Sequence, residues 1–233
     1  MNIHFSDVKK SYRGFTLDVG QLHIKTGETI KLFGNNGAGK TTFLRLILDL
    51  ISADNGVVKI DEKNVAMHFE WKKNTGSFLD ESFLLPFYNS IEYFNFLNDI
   101  YKRNLPEISE YINQLDGLFG EDFDLNKRIG TLSTGNKVKV GIAGVLLIKP
   151  KLLILDEPFA NLDPRSKLNL IDILKSYKFK HPDTVIILSS HELDITNRIS
   201  GRTIVLDRGR IVLDKSSNLI GTDDLEKVLS IAK

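Results

Sequence analysis

The chain has 233 residues, 42% of them hydrophobic and 26% charged, ordinary globular proportions with enough apolar residues for one large core or two small ones. It contains no cysteine, which excludes disulfides, thiolate metal sites and cysteine nucleophiles, and a formal net charge of +1 with both signs interspersed gives no electrostatic case for nucleic acid or an anionic membrane surface. The opening Met1 to Asp7 lacks the layout of a signal peptide, and the longest apolar run, Val140 to Ile148, is too short to span a bilayer, so a soluble cytoplasmic protein is expected.

Short β-like runs separated by turn signals fill the first third: Ile3 to Phe5, Phe15 to Val19, Leu22 to Ile24, Thr29 to Phe33, Val57 to Ile60 and Val65 to Phe69. The run ending at Phe33 leads into Gly34-Asn35-Asn36-Gly37-Ala38-Gly39-Lys40-Thr41-Thr42, which fits G-x-x-x-x-G-K-[ST]. Helical apolar spacing follows at Phe43, Leu44, Leu46, Ile47, Leu48 and Leu50. A strand handing over to a helix through such a loop makes a phosphate site. The glycines let backbone N–H groups of Asn35, Gly37, Ala38, Gly39 and Thr42 turn around an anion, and the helix end adds partial positive charge. Lys40 reaches the terminal phosphates and Thr41 offers a hydroxyl to magnesium. The other early strands are expected to form an antiparallel layer on this nucleotide core.

From about Asp80 to Ile148 the pattern turns helical, with segments Asn89 to Tyr101, Ile108 to Leu118 and Thr134 to Ile148, which predicts a helical insertion. Strands return at Leu152 to Leu155 and Val185 to Ser189, with a helix from Arg165 to Tyr177 between them, the order of a parallel sheet. A late hairpin, Thr203 to Leu206 and Arg210 to Leu213 around Asp207-Arg208-Gly209, precedes a terminal helix from Asp223 to Ala232. Leu152-Leu153-Ile154-Leu155-Asp156-Glu157-Pro158 is an apolar strand ending in two carboxylates, at the strand end where ligands of parallel sheets collect. Asp156 suits magnesium, directly or through water; Glu157 suits a general base that polarises the attacking water.

Leu132-Ser133-Thr134-Gly135-Asn136 opens the helix upstream of that strand. The order of phosphate loop, L-S-x-G-x, apolar strand with Asp-Glu-Pro, Asn161-Leu162-Asp163 and an isolated His191 after a strand resembles the ATP-binding-cassette ATPases from end to end. The resemblance implies an α/β fold: a P-loop NTPase (RecA-like) core with a parallel sheet, an N-terminal antiparallel β layer and an inserted helical subdomain. Within one cassette domain, residues 1–79 and 149–215 then form the ATP-binding core, 80–148 the helical signature subdomain and 216–233 a helical tail. It also implies that Ser133, Gly135 and Asn136 cap the γ-phosphate of ATP held by a second subunit, although Ser133 by itself reads as a helix N-cap. Thr134 and Asn136 depart from the usual second glycine and glutamine.

By the same resemblance His191 contacts the γ-phosphate and attacking water, and Tyr12 stacks on adenine, where an exposed strand tyrosine is the plainer reading. Asp163 falls in the loop that crosses to the partner subunit, and it also suits an N-cap before Pro164. Aligning Gly76-Ser77-Phe78-Leu79-Asp80-Glu81 on the family's G-Y-L-P-Q-E puts Asp80 where a glutamine touches magnesium and water, with Glu81 as a possible substitute.

The function implied is the ATP-binding, ATP-hydrolysing subunit of an ABC transporter, dimerising around two MgATP, as a homodimer or with a similar chain. It is expected to drive a transmembrane permease from the inner face of the membrane, with export favoured because the chain ends without a regulatory domain. An iron–sulfur assembly ATPase working with a soluble scaffold is the alternative. The aromatics Phe78, Phe83, Phe87, Tyr88, Tyr93, Phe94, Phe96 and Tyr101 favour the transporter: at least half are expected in the core of the insertion and the remainder on a docking surface.

Overall fold

The computed structural model describes residues 1–101, 108–115, 117–120, 123–192 and 197–216. Ten strands form one hydrogen-bonded sheet: β1 (Ile3–Tyr12), β2 (Phe15–Ile24), β3 (Thr29–Phe33), β4 (Asn55–Ile60), β5 (Lys63–Asn64), β6 (Thr75–Phe78), β7 (Leu152–Leu155), β8 (Val185–Ser190), β9 (Arg202–Asp207) and β10 (Arg210–Lys215). Their spatial order is β5-β4-β1-β2-β10-β9-β3-β8-β7-β6. β9, β3, β8, β7 and β6 run parallel, β10 returns antiparallel to β9, and β1, β2, β4 and β5 pair antiparallel. The two regions meet through one described residue pair, Arg210 with Asp18. Among the described residues five α-helices accompany the sheet: α1 (Lys40–Ile47), α2 (Ser90–Tyr101), α3 (Ile108–Gln114), α4 (Thr134–Leu147) and α5 (Pro164–Lys180).

Side chains alternate across a strand, so the central strands feed two cores. Leu153, Leu155, Ile186 and Leu188 pack with α2 to α5, while Leu152, Ile154, Ile30 and Leu32 face α1 and the antiparallel strands. α1 is thereby held between the parallel strands and the antiparallel layer, with Phe43, Leu44 and Ile47 wholly buried and Phe43 stacked on Phe5 at 4.7 Å. α2 starts on a capping box: Asn89 Oδ1 accepts the Glu92 amide and Glu92 Oε2 accepts the Asn89 amide.

Two expectations need correction. No strand runs from Val65 to Phe69: Asn64 Oδ1 accepts the Ala66 amide and the Asn64 carbonyl accepts those of Met67 and His68, a turn that competes with the ladder, and a 3₁₀ turn follows at Glu70–Asn74. Thr75–Phe78, read only as part of a loop motif, is instead the edge strand β6, parallel to β7. Its short Thr-Gly-Ser-Phe sequence carries little strand signal, and pairing with β7 decides it. The terminal helix expected from Asp223 to Ala232 lies outside the described residues. No described helix is long and apolar enough to cross a membrane.

Candidate nucleotide site

β3 delivers the chain to the loop at Gly34, and α1 departs from it at Lys40. Gly39 immediately precedes the helix with φ 109°, a conformation that favours glycine, and a Cβ there would meet the Phe15 ring at 3.0 Å. Ala38 is buried beneath the loop, where its carbonyl accepts the Gly209 amide of the β9–β10 turn. Asn35, Asn36, Gly37, Gly39, Lys40, Thr41 and Thr42 line an open cleft, closed on other sides by Tyr12, Phe15 and Glu157.

Inside the cleft, Lys40 is 6% exposed; its Nζ donates to the Gly34 carbonyl at 2.7 Å and pairs with Glu157 Oε1 at 3.1 Å. The other Glu157 oxygen lies 2.9 Å from His191 Nδ1. Thr41 Oγ1 donates to Asp156 Oδ2 at 2.6 Å, joining the first turn of α1 to the end of β7 across 115 residues of chain. A hydroxyl and a carboxylate side by side are hard oxygen donors of the kind magnesium takes, with phosphate oxygens and water for its remaining positions. The described residues hold no cluster of three or more His, Cys, Asp or Glu that could bind a metal ion.

Glu157 has φ 46°, which a bulky residue adopts only under constraint from its surroundings. Ser189 supplies part of that constraint: its Oγ accepts the Glu157 amide at 2.8 Å and donates to Asp156 Oδ1 at 2.5 Å. Sequence reading missed Ser189; the small polar pair Ser189-Ser190 ending an otherwise apolar strand was the available signal. It also took Phe15 for a strand residue only. The two-residue turn Arg13-Gly14 places Phe15 directly opposite Tyr12, and both rings wall the cleft. Tyr12 is 47% exposed, with Lys10 Nζ 5.7 Å from its ring centre.

Asp80 sits elsewhere in its bonding: its Oδ1 accepts the Ser82 amide as the cap of a 3₁₀ turn, and no described bond joins it to Thr41 or Asp156. Glu81 is exposed in that turn.

Ser133, Gly135, Asn136 and Asp163 do not line the cleft. Ser133 caps α4 through the Asn136 amide at 3.3 Å, and Asp163 caps α5 through the Ser166 amide and hydroxyl, bonds that hold the Asp163 carboxyl at a pKa of about 2. The two caps are neighbours: a Cβ on Gly135 would meet the Asn161 carbonyl at 2.6 Å, and Lys139 Nζ lies 4.0 Å from Asp163 Oδ2. The site residues thus fall into two groups on one chain, a phosphate cleft and a separate pair of exposed helix starts.

Comparison with known proteins gives these features a family. A model of the ABC transporter family matches residues 17–160. The energy-coupling factor transporter ATP-binding protein EcfA1 of Ligilactobacillus salivarius is 35% identical over 214 residues, covering 88% of this chain and 73% of that protein. The molybdate/tungstate import ATP-binding protein WtpC of Pyrococcus horikoshii is 30% identical over 207 residues, covering 88% of this chain and 59% of that protein. A solved structure of the ATP-binding subunit of an ABC transporter aligns with a TM-score of 0.77 and 26% identity, over 99% of this chain and 94% of that one.

Proposed function

Because the chain belongs to the ABC transporter family, as one of its MgATP-binding, ATP-hydrolysing cassettes, we propose that it is the nucleotide-binding subunit of a transporter, closing with a second cassette around two MgATP to drive a membrane permease. The observation that carries the two-subunit reading is the separation within one chain: the phosphate cleft lacks Ser133 to Asn136, which stand at a helix start with Ser133 and Thr134 exposed and Gly135 and Asn136 half-buried, and suit an anion brought by another subunit. Identical chains supply both halves, and a homodimer is the simplest closed arrangement.

In this proposal the loop amides and Lys40 hold the phosphates, and Lys40 exchanges its pair with Glu157 for the γ-phosphate, freeing Oε1 to accept a proton from the attacking water. His191, 2.9 Å from the other carboxylate oxygen, orients Glu157 and the transferring phosphoryl group. Thr41 and Asp156 would hold magnesium, which when bound neutralises charge on the phosphate oxygens. Tyr12 stacks on the base. Asp80 is engaged through Oδ1 with the Ser82 amide and is given no role at magnesium in this proposal. Such catalysis is positioning and electrostatics rather than covalent chemistry.

Glu157→Gln keeps the volume of the side chain and removes the base. It is expected to lower steady-state hydrolysis by about 10²–10⁴-fold while leaving MgATP binding intact and making an ATP-dependent dimer visible by size exclusion. Unchanged turnover would show that Glu157 is not the base.

Docking to the permease, at the inner face of the membrane, is assigned to the aromatic segment. Phe78, Tyr93 and Phe94 are buried in the helical core, but Phe83 and Phe87 are 57% and 63% exposed. Alanine at both is expected to leave ATP binding unchanged and to reduce co-purification with the membrane partner. Export, expected from the sequence, is left outside this proposal.

A further inference from the structure

A second cavity, of about 270 Å³, shares no residue with the nucleotide cleft. Its floor is carbon: Tyr111 and Leu115 from the α3 region, Leu146 and Leu147 from the end of α4, and Ile173 and Tyr177 from α5. The Tyr111 hydroxyl donates to the Ala143 carbonyl at 2.6 Å and the Tyr177 hydroxyl to the Pro150 carbonyl at 3.2 Å, so both phenols have backbone partners.

The rim is polarised along its length. Lys149, Lys180 and His181 stand at one end, while Asp172 lies eight residues before Lys180 on α5, about 12 Å along the helix axis. His181 is fixed by its ring contact with Tyr177, at 4.6 Å. Its pKa is pushed down by burial first and then by the charges of Lys149 and Lys180, so near neutrality the ring is an uncharged hydrogen-bond partner beside two cationic lysines. Neither lysine has an ion-pair partner among the described residues. Lys149 has φ 47°, just past the end of α4, where glycine is the residue that fits without strain.

Lysines near helix ends also serve the terminal carbonyls, but that role needs no apolar cavity beside them. A carbon-lined cavity with a few convergent polar groups at its mouth is the usual form of a small-molecule site. We propose that this cavity binds a small amphipathic organic anion, with its apolar body on Leu146, Leu147 and Tyr177 and its carboxylate between Lys149, Lys180 and His181.

The proposal stands apart from the ATPase reading and is tested separately from it. The whole chain is titrated with 2-naphthoate, followed by fluorescence, in the presence and absence of saturating MgADP, with neutral 2-naphthalenemethanol as the uncharged control. Expected are saturable one-to-one binding that MgADP does not displace, weaker binding of the alcohol, and about tenfold or greater loss of naphthoate affinity in the Lys149→Gly, Lys180→Gln double variant. Glycine relieves the positive φ at 149, so the variant is expected to fold, as its thermal unfolding checks. Absence of saturable binding, displacement by MgADP, or equal affinity for the acid and the alcohol would each overturn the proposal, and the last comparison needs no variant.

Discussion

Lys31 stands on β3, three residues before the phosphate loop, 1% exposed and with no hydrogen-bond partner for its ammonium among the described residues. Its register neighbour on β9, Thr203, also has an unpaired hydroxyl. Burial lowers the Lys31 pKa, so the unfolded chain holds this proton more tightly than the folded one, and folding is penalised at every pH below the ordinary lysine pKa of 10.5. Stability contributed at this position therefore rises with pH until the unfolded lysine also loses its proton. Lys31→Met is expected to raise unfolding free energy near neutrality by about 1–3 kcal/mol in urea titration, with the gap from the native protein narrowing toward pH 10.5. A variant less stable than the native chain would mean that the ammonium has a favourable role there. The residues proposed as catalytic are legible from spacing because their motifs are local in sequence. Ser189 and Lys31 were not, because a serine or lysine in a strand has meaning only through what the neighbouring strands place beside it.

Among the elements, α4 shows how close approach is arranged. It opens on Ser133, and its Gly141 and Gly144 face the rings of Phe78 on β6 and Tyr93 on α2. A methyl at 141 would overlap the Phe78 ring, which is 5% exposed and has little room to retreat. Alanine is the better helix former by roughly 1 kcal/mol, but overpacking in a closed core costs about 1–3 kcal/mol. Gly141→Ala is therefore expected to lower the thermal unfolding midpoint, and a higher midpoint would show that propensity outweighs packing here. The same contact explains why β6 escaped notice: Thr75 to Phe78 is a strand because β7 pairs with one side of it and α4 covers it, not because its residues favour extended backbone. The opposite error at Val65 to Phe69 has a local cause, since Asn64 folds the chain into a turn before the apolar run can pair.

For the whole molecule, the separation of the two site groups makes a prediction that concerns pairs of chains. Lys40→Ala and Ser133→Ala chains are each expected to hydrolyse ATP poorly alone. Mixed, they assemble a pair in which one site joins the intact loop of the second chain to the intact Ser133 of the first, so the mixture is expected to exceed both parents in an ATPase assay. A mixture no more active than its parents would place Ser133 outside the partner's site. By itself the sequence determined the strand–loop–helix passage at Gly34 to Thr42, the acidic end of β7, the parallel unit of β7, α5 and β8, and the helical character of the segment before β7, because each is written in neighbouring residues with a fixed period or spacing. Only tertiary structure decided that Thr41 meets Asp156, that Lys40 and His191 both converge on Glu157, that Phe15 joins Tyr12 at the cleft, and that Asp80 caps a turn. Those contacts depend on strand register and on a backbone bend at Glu157, and register is set by which apolar faces bury together across distant parts of the chain.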